Sequence, residues 1–211
     1  MKRGTQPIHP DLTRVVVTYA GGNRPWQSID RVAFLFARMK EINPKLMFFG
    51  MTKEDDALKK AFLAHGVSGP DLMIEYVPYD QVLYLDADTL VHGDMTYGFD
   101  LLDDGWDMAI THSSNQDREA FWHVEDEERH SMEAQGIDML QLQGGVFFVA
   151  RNERTVELFR VWHEEWSRWR GKDQAALVHA LVRVPVRLWL LGRPWKGGSV
   201  VAHRFGELAR P

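Results

Sequence analysis

The stretch Tyr79-Asp80-Gln81-Val82-Leu83-Tyr84-Leu85-Asp86-Ala87-Asp88-Thr89-Leu90-Val91 decides how this chain is read. Val82 to Leu85 is a continuous apolar run, which is what a strand buried on both faces of a sheet requires. It stops at two aspartates separated by one residue. In extended backbone, positions i and i+2 project to the same side, so the two carboxylates are expected to converge at the rim of the sheet. Two like charges held together there are costly unless a cation joins them. Carboxylate oxygens suit Mg²⁺ or Mn²⁺, ions commonly shared with substrate phosphates. The plainer reading is a pair of exposed loop aspartates capping a turn. A phosphatase of the haloacid-dehalogenase type would place Thr or Val two residues after Asp88, where this chain has Leu90.

Outward from this stretch the chain alternates strand and helix patterns. Arg14–Ala20 is a β-branched run stopped by Gly21-Gly22, and Lys45–Gly50 reads as a second strand. Between them, Ile29, Val32, Ala33, Phe36 and Met39 recur at helical spacing, with Ser28 as N-cap. Thr52–His65 reads as a helix, and 70–77 as a strand or, in preference, a short helix opened by Pro70. Further on come a short helix near Thr96–Leu102, strands at Asp107–Thr111 and Gly145–Ala150, and helices at Glu153–Trp169 and Asp173–Leu181. The last strands are read at Val184–Leu191 and Ser199–Ala202. Residues 113–138 are strongly polar and read as a solvated helix or a mobile excursion, expected on the acceptor side. This order predicts an α/β fold with a mainly parallel central sheet flanked by helices, residues 1–211 forming one domain. In such sheets ligands gather at the carboxyl ends of strands, where Asp86 and Asp88 lie.

Composition narrows the function classes. The 211 residues contain no Cys, which excludes disulfide scaffolds, thiolate zinc sites and thiol nucleophiles. No window approaches the roughly 20 apolar residues of a membrane span, and no signal-peptide pattern follows the N-terminus, so a cytoplasmic location is expected. The net charge of −5 is unevenly spread: −11 over residues 1–150 and +6 over 151–211, which also hold five of the eight Trp. A basic, aromatic-rich final third could serve an anionic ligand such as a phosphate or a nucleic acid, or form solvated Arg-rich helices. Trp162, Trp166 and Trp169 recur at helical spacing and are expected to pack in the core.

The stretch from Tyr79 closely resembles the metal-binding segment of the glycogenin-like and lipopolysaccharide-galactosyltransferase-like glycosyltransferases, whose fold is GT-A. Gln143-Gly144-Gly145-Val146, Asp173-Gln174 and Val200–Gly206 resemble, in order, three further motifs of that family. The resemblance implies a glycosyltransferase that uses a nucleotide-diphospho-sugar, UDP-linked above all, with retention of configuration. It implies metal ligation by Asp88 and His203, an imidazole favouring Mn²⁺ over Mg²⁺, with Asp86 binding the metal or the donor ribose. Thr18, Tyr19 and Ala20 would face the nucleoside; Gln143, Gly144 and Gly145 the donor sugar; Asp173 and Gln174 its reactive carbon. Arg210, or Lys196 in the Gly-rich basic loop Arg193–Gly198, would contact the diphosphate. This chain departs from the family in having Gln143 where Asn is usual, and no Arg or Lys between Gly66 and Asp86. The acceptor stays open among a saccharide, a protein, a small molecule and a nucleic-acid base. A sugar-nucleotide-binding protein without catalysis is the reading from another class.

Overall fold

In the computed structural model the described residues are 14–20, 29–43, 47–52, 74, 77, 79–113, 124–137, 140–170 and 173–203. They form strands β1 (Arg14–Ala20), β2 (Met47–Thr52), β3 (Gln81–Leu85), β4 (Thr89–Val91), β5 (Met108–His112), β6 (Leu142–Ala150), β7 (Leu188–Leu191) and β8 (Val201–His203). The helices are α1 (Ile29–Ile42), α2 (Thr96–Asp103), α3 (Asp126–Ala134), α4 (Glu153–Trp169) and α5 (Asp173–Arg183).

One sheet runs in the order β2-β1-β3-β6-β5-β7. β1 is parallel to β2 and β3, and β5 is parallel to β7, whereas β6 runs antiparallel to both of its neighbours. The sheet is therefore parallel apart from β6, as expected. That reversal positions the site. It brings the start of β6 to the rim where β1, β3, β5 and β7 end. A separate antiparallel pair, β4–β8, stands at the same place, because β4 follows Asp88 directly.

Side-chain alternation explains the layers. Along β6, Phe147 and Val149 enter a core with Leu158, Phe159 and Trp162 of α4 and Leu177 of α5. Val146 and Phe148 point the other way, to Leu35 and Met39 of α1, Phe99 of α2 and Trp195. Helices thus cover both faces, the arrangement in which strands need no polar face. α4 starts at a capping box: Asn152 accepts from the Thr155 amide at 3.0 Å, and the Thr155 hydroxyl accepts from the Asn152 amide at 2.9 Å.

Several expectations shift. The strand expected from Val184 begins only at Leu188. Pro185 has no amide to donate, and the Arg187 amide goes to the buried Asp107 carboxylate at 2.8 Å. Asp107 also binds Asn152 at 2.7 Å and Arg154 at 2.6 Å, joining the edges of β5, α4 and β7. The polar excursion is not solvated throughout. α3 buries Glu128 and Met132, and Met132 packs with Val124, Ile137 and Ala175 and Val178 of α5. Along α4 the buried face runs through Leu158, Phe159, Trp162 and Glu165, while Val156 is exposed. Trp162 is core as expected, but Trp166 and Trp169 are partly exposed beneath the Arg170 and Arg168 guanidinium groups. The helix expected over Thr52–His65 lies outside the described residues except Thr52, which ends β2; of 70–77, Ile74 is helical. Among the described residues no helix is long and apolar enough to cross a membrane.

Candidate metal and donor site

Asp86 follows β3 directly, but the backbone does not stay extended through Asp88. The Thr89 amide returns to the Asp86 carbonyl at 3.1 Å and the Thr89 hydroxyl to the same oxygen at 2.8 Å. This is a tight turn locked by a side chain. The turn, rather than strand alternation, brings the carboxylates together, which corrects the extended-backbone expectation. It also starts β4, whose Thr89 pairs with His203 of β8. His203 is therefore the last residue of its strand, not a loop residue after it.

That pairing carries the imidazole to the aspartates. His203 Nε2 lies 3.0 Å from Asp88 Oδ1 and 3.5 Å from Asp86 Oδ2. Each of the three offers one ligand atom, and these atoms lie within 4.8 Å of one another. Space for the ring comes from Gly145. A Cβ there would come within 2.5 Å of His203 Cε1 and 2.6 Å of Asp86 Oδ2, so no larger residue fits without displacement. Gly145 lies in an irregular stretch of β6: Ile110 of β5 pairs with Phe147 but Thr111 pairs with Gln143. The Gly145 carbonyl meanwhile accepts from the Asp86 amide at 2.8 Å.

The electrostatics match a cation site. Burial raises the Asp86 carboxyl; the His203 charge opposes this, Asp88 adds to it, and the Tyr84 hydroxyl opposes it by donating to the carboxylate. Burial alone would lower the His203 imidazole, but the Asp88 hydrogen bond and the charges of both aspartates outweigh it and raise it. Two carboxylates and one imidazole, Asp88 and His203 buried and Asp86 half-buried, are a donor set that suits Mn²⁺, and the space opened by Gly145 leaves it intact.

Around this centre the rim gathers other groups. Thr18 lies one residue past the Val17–Tyr84 pair; its hydroxyl is fully buried and has no hydrogen-bond partner among the described residues. Asp173 opens α5, held by the Trp162 indole donating to its carbonyl at 2.7 Å; a Cβ on Gly144 would sit 3.4 Å from its carboxylate. Gln174 accepts from Gln141 at 3.3 Å. Lys196 donates to the His112 carbonyl at the end of β5, 2.6 Å away, and burial lowers its ammonium to about 8. Its loop is anchored by Trp195, edge-on to Phe148 at 5.3 Å.

No protein-family profile matches the chain, and no curated protein matches it in sequence. Solved structures match it in fold. The galactosyltransferase LgtC, solved with donor and acceptor sugar analogues, matches over 84% of this chain and 73% of its own, at 16% identity and a TM-score of 0.51. A glycosyltransferase involved in glycosylating the major capsid of PBCV-1 matches over 92% of this chain and 96% of its own (15% identity, TM-score 0.54). Mouse xyloside xylosyltransferase 1 matches over 86% of each chain (12% identity, TM-score 0.55). The chain has the GT-A fold of the glycosyltransferases.

Within this GT-A scaffold, Asp86, Asp88, His203, Gln143 and Gly145 are brought into one cluster, with Gly144 beside Asp173. Arg210 and the side chains of Tyr19 and Ala20 lie outside what is described. In the sequence Tyr84 reads as a strand residue without a role. Its hydroxyl binds Asp86, and its ring stacks on Phe147 at 5.0 Å. Burial first, and then the Asp86 and Asp173 charges, raise its phenol well above the ordinary value, so it stays a donor. Strand alternation offered a signal: Tyr84 and Asp86 are two residues apart.

Proposed function

We propose that this chain is a metal-dependent glycosyltransferase that takes a sugar from a nucleotide-diphospho-sugar, UDP-linked in the first instance, with retention of configuration. The observation that carries this reading is the convergence of Asp86, Asp88 and His203 at the strand-end rim of a GT-A sheet. The three side chains would hold Mn²⁺ or Mg²⁺, and the bound ion would supply Lewis-acid neutralisation of the departing diphosphate. The protein's own groups do the rest. The buried Thr18 hydroxyl, lacking a partner, supports a nucleoside at the end of β1. Lys196, still an ammonium at neutral pH, faces the same rim and offers charge to the diphosphate, with Arg210 as a second cation. As the bond from the anomeric carbon to the diphosphate oxygen breaks, its electrons leave with the diphosphate and positive charge develops on the sugar. The Asp173 carboxylate would stabilise that charge, a role its position beside Gly144 supports. Gln174 would position the sugar. The acceptor oxygen or nitrogen then bonds to the anomeric carbon, and its proton passes to the departing diphosphate.

A nucleic-acid-base acceptor would draw on the basic final third. There Arg154 is paired with Asp107 outside the segment, whereas Arg160 and Arg183 pair with Glu157, Glu164 and Glu165, glutamates already counted in its +6, so a net positive surplus remains. The test is donor hydrolysis and thermal shift across UDP-, GDP-, ADP- and TDP-sugars, with and without Mn²⁺. Metal-dependent stabilisation and slow hydrolysis of one donor are expected. Stabilisation without turnover in the presence of any acceptor would point to the non-catalytic binding protein, and no response to any donor would overturn the proposal.

A further inference from the structure

Gln143 makes a contact that its sequence position does not announce. Its carboxamide nitrogen lies 2.5 Å from His203 Nδ1, the ring nitrogen turned away from the aspartates. Both side chains are buried, at 4% and 8% residue exposure, so water does not serve this nitrogen readily. The far side of the carboxamide reaches the hydroxyl of the fully buried Thr111 at 3.5 Å, and the same hydroxyl lies 3.4 Å from the Gln143 carbonyl.

An imidazole can ligate a cation only through a nitrogen with a free lone pair. With Nε2 facing Asp86 and Asp88, the ring proton must then sit on Nδ1, and a buried N–H needs an acceptor. A carboxamide meets both requirements of such a site. Its oxygen accepts from Nδ1–H when Nε2 is a ligand, and its NH₂ donates to a bare Nδ1 when Nε2 carries the proton toward Asp88. The Thr111 hydroxyl can answer either orientation, donating to the amide oxygen or accepting from the amide NH₂.

We propose that Gln143 is a positioning residue for the metal site: with its carboxamide turned over, so that the oxygen faces Nδ1 and the NH₂ faces Thr111, it accepts from Nδ1–H and holds the tautomer of His203 in which Nε2 is directed, as a ligand, at the point shared by Asp86 and Asp88. The usual Asn of the resembled family is one methylene shorter than this Gln. The inference deepens the metal-dependent reading above and rests on it. It moves Gln143 from the donor sugar to the ligand shell behind the metal.

The test compares wild type with Gln143→Leu and Gln143→Glu by calorimetric titration of Mn²⁺ alone, without donor or turnover. Leu keeps bulk but removes the acceptor, and a ten- to hundredfold loss of Mn²⁺ affinity is expected, the usual cost of removing such an outer partner. Glu restores an acceptor for Nδ1–H, and affinity within about threefold of wild type or tighter is expected. With diamagnetic Zn²⁺ in the site, ¹⁵N spectra of the imidazole should show a proton on His203 Nδ1 and none on Nε2. Equal affinity in Gln143→Leu, equal losses in Leu and Glu, or a metal-bound Nδ1 would each overturn the inference while leaving the metal reading standing. Failure of wild type to bind Mn²⁺ at all would overturn both.

Discussion

At the scale of single residues, the site depends on a missing side chain as much as on its ligands. Gly145 is where β6 passes beneath the His203 ring and the Asp86 carboxylate, and a methyl group there has nowhere to go. Gly145→Ala is expected to cost about 1–3 kcal/mol in stability, as overpacking does, and to weaken Mn²⁺ binding at least tenfold. Gly197→Ala is the control, because a Cβ there meets nothing within 4 Å and should change neither. Melting curves and a metal titration on both variants decide the point. The aspartates and His203 were legible in the sequence because they form an ordered pattern. The Gln143 contact was not, since nothing in a β-strand pattern says which way a long amide reaches across to another strand. The turn at Asp86–Thr89 was hidden for a related reason: its lock is the Thr89 hydroxyl, which reads equally well as a strand residue.

At the scale of elements, α3 shows where polarity misleads. Asp126-Glu127-Glu128 suits a solvated first turn, yet Glu128 is buried against α5 with its carboxylate 3.6 Å from His179 Nε2. Burial, then the charges of Glu165 and Glu125, raises the Glu128 carboxyl to about 7. Its ordinary value is 4.5, so the folded chain holds this proton at pH values where the unfolded chain has lost it. The energetic cost of ionising it is therefore absent below about pH 4.5, grows through the interval to about 7, and is constant above it. Glu128→Gln is expected to stabilise the protein at pH 8 by on the order of 2–3 kcal/mol and to give no gain at pH 4. Urea unfolding at the two pH values measures this, and an equal effect at both would contradict it. The long elements β3, β6 and α4 were readable because their apolar patterns are long and regular. The strand before β7 was cut short by Pro185 and the Asp107 hydrogen bond to Arg187, a contact between residues 80 apart that no local pattern records.

At the scale of the whole molecule, a single reversed strand turns an otherwise parallel sheet into a place where distant parts of the chain meet. The ends of β1, β3, β5 and β7, the start of β6 and the final residue of β8 contribute, and α5 adds Asp173 from behind Gly144. Alternation of strands and helices sufficed to foresee the layered α/β sheet, but the reversal of β6 follows from packing, since its residues suit either direction. In the final third Arg183 joins α5 to Glu165 of α4, Arg154 reaches Asp107 and Arg187 lies over Trp106, while the net positive surplus of that segment remains. The proposed transfer depends on the cation that Asp86, Asp88 and His203 would hold. Electron paramagnetic resonance of free Mn²⁺ during titration with protein measures it directly, with wild type set against Asp88→Ala, whose circular dichroism and melting should stay near wild type. The expected result is one Mn²⁺ taken up per wild-type chain, more tightly when a UDP-sugar is present, and uptake reduced at least a hundredfold in Asp88→Ala. Equal uptake by the two proteins, or none by wild type with UDP-sugar present, would contradict the account.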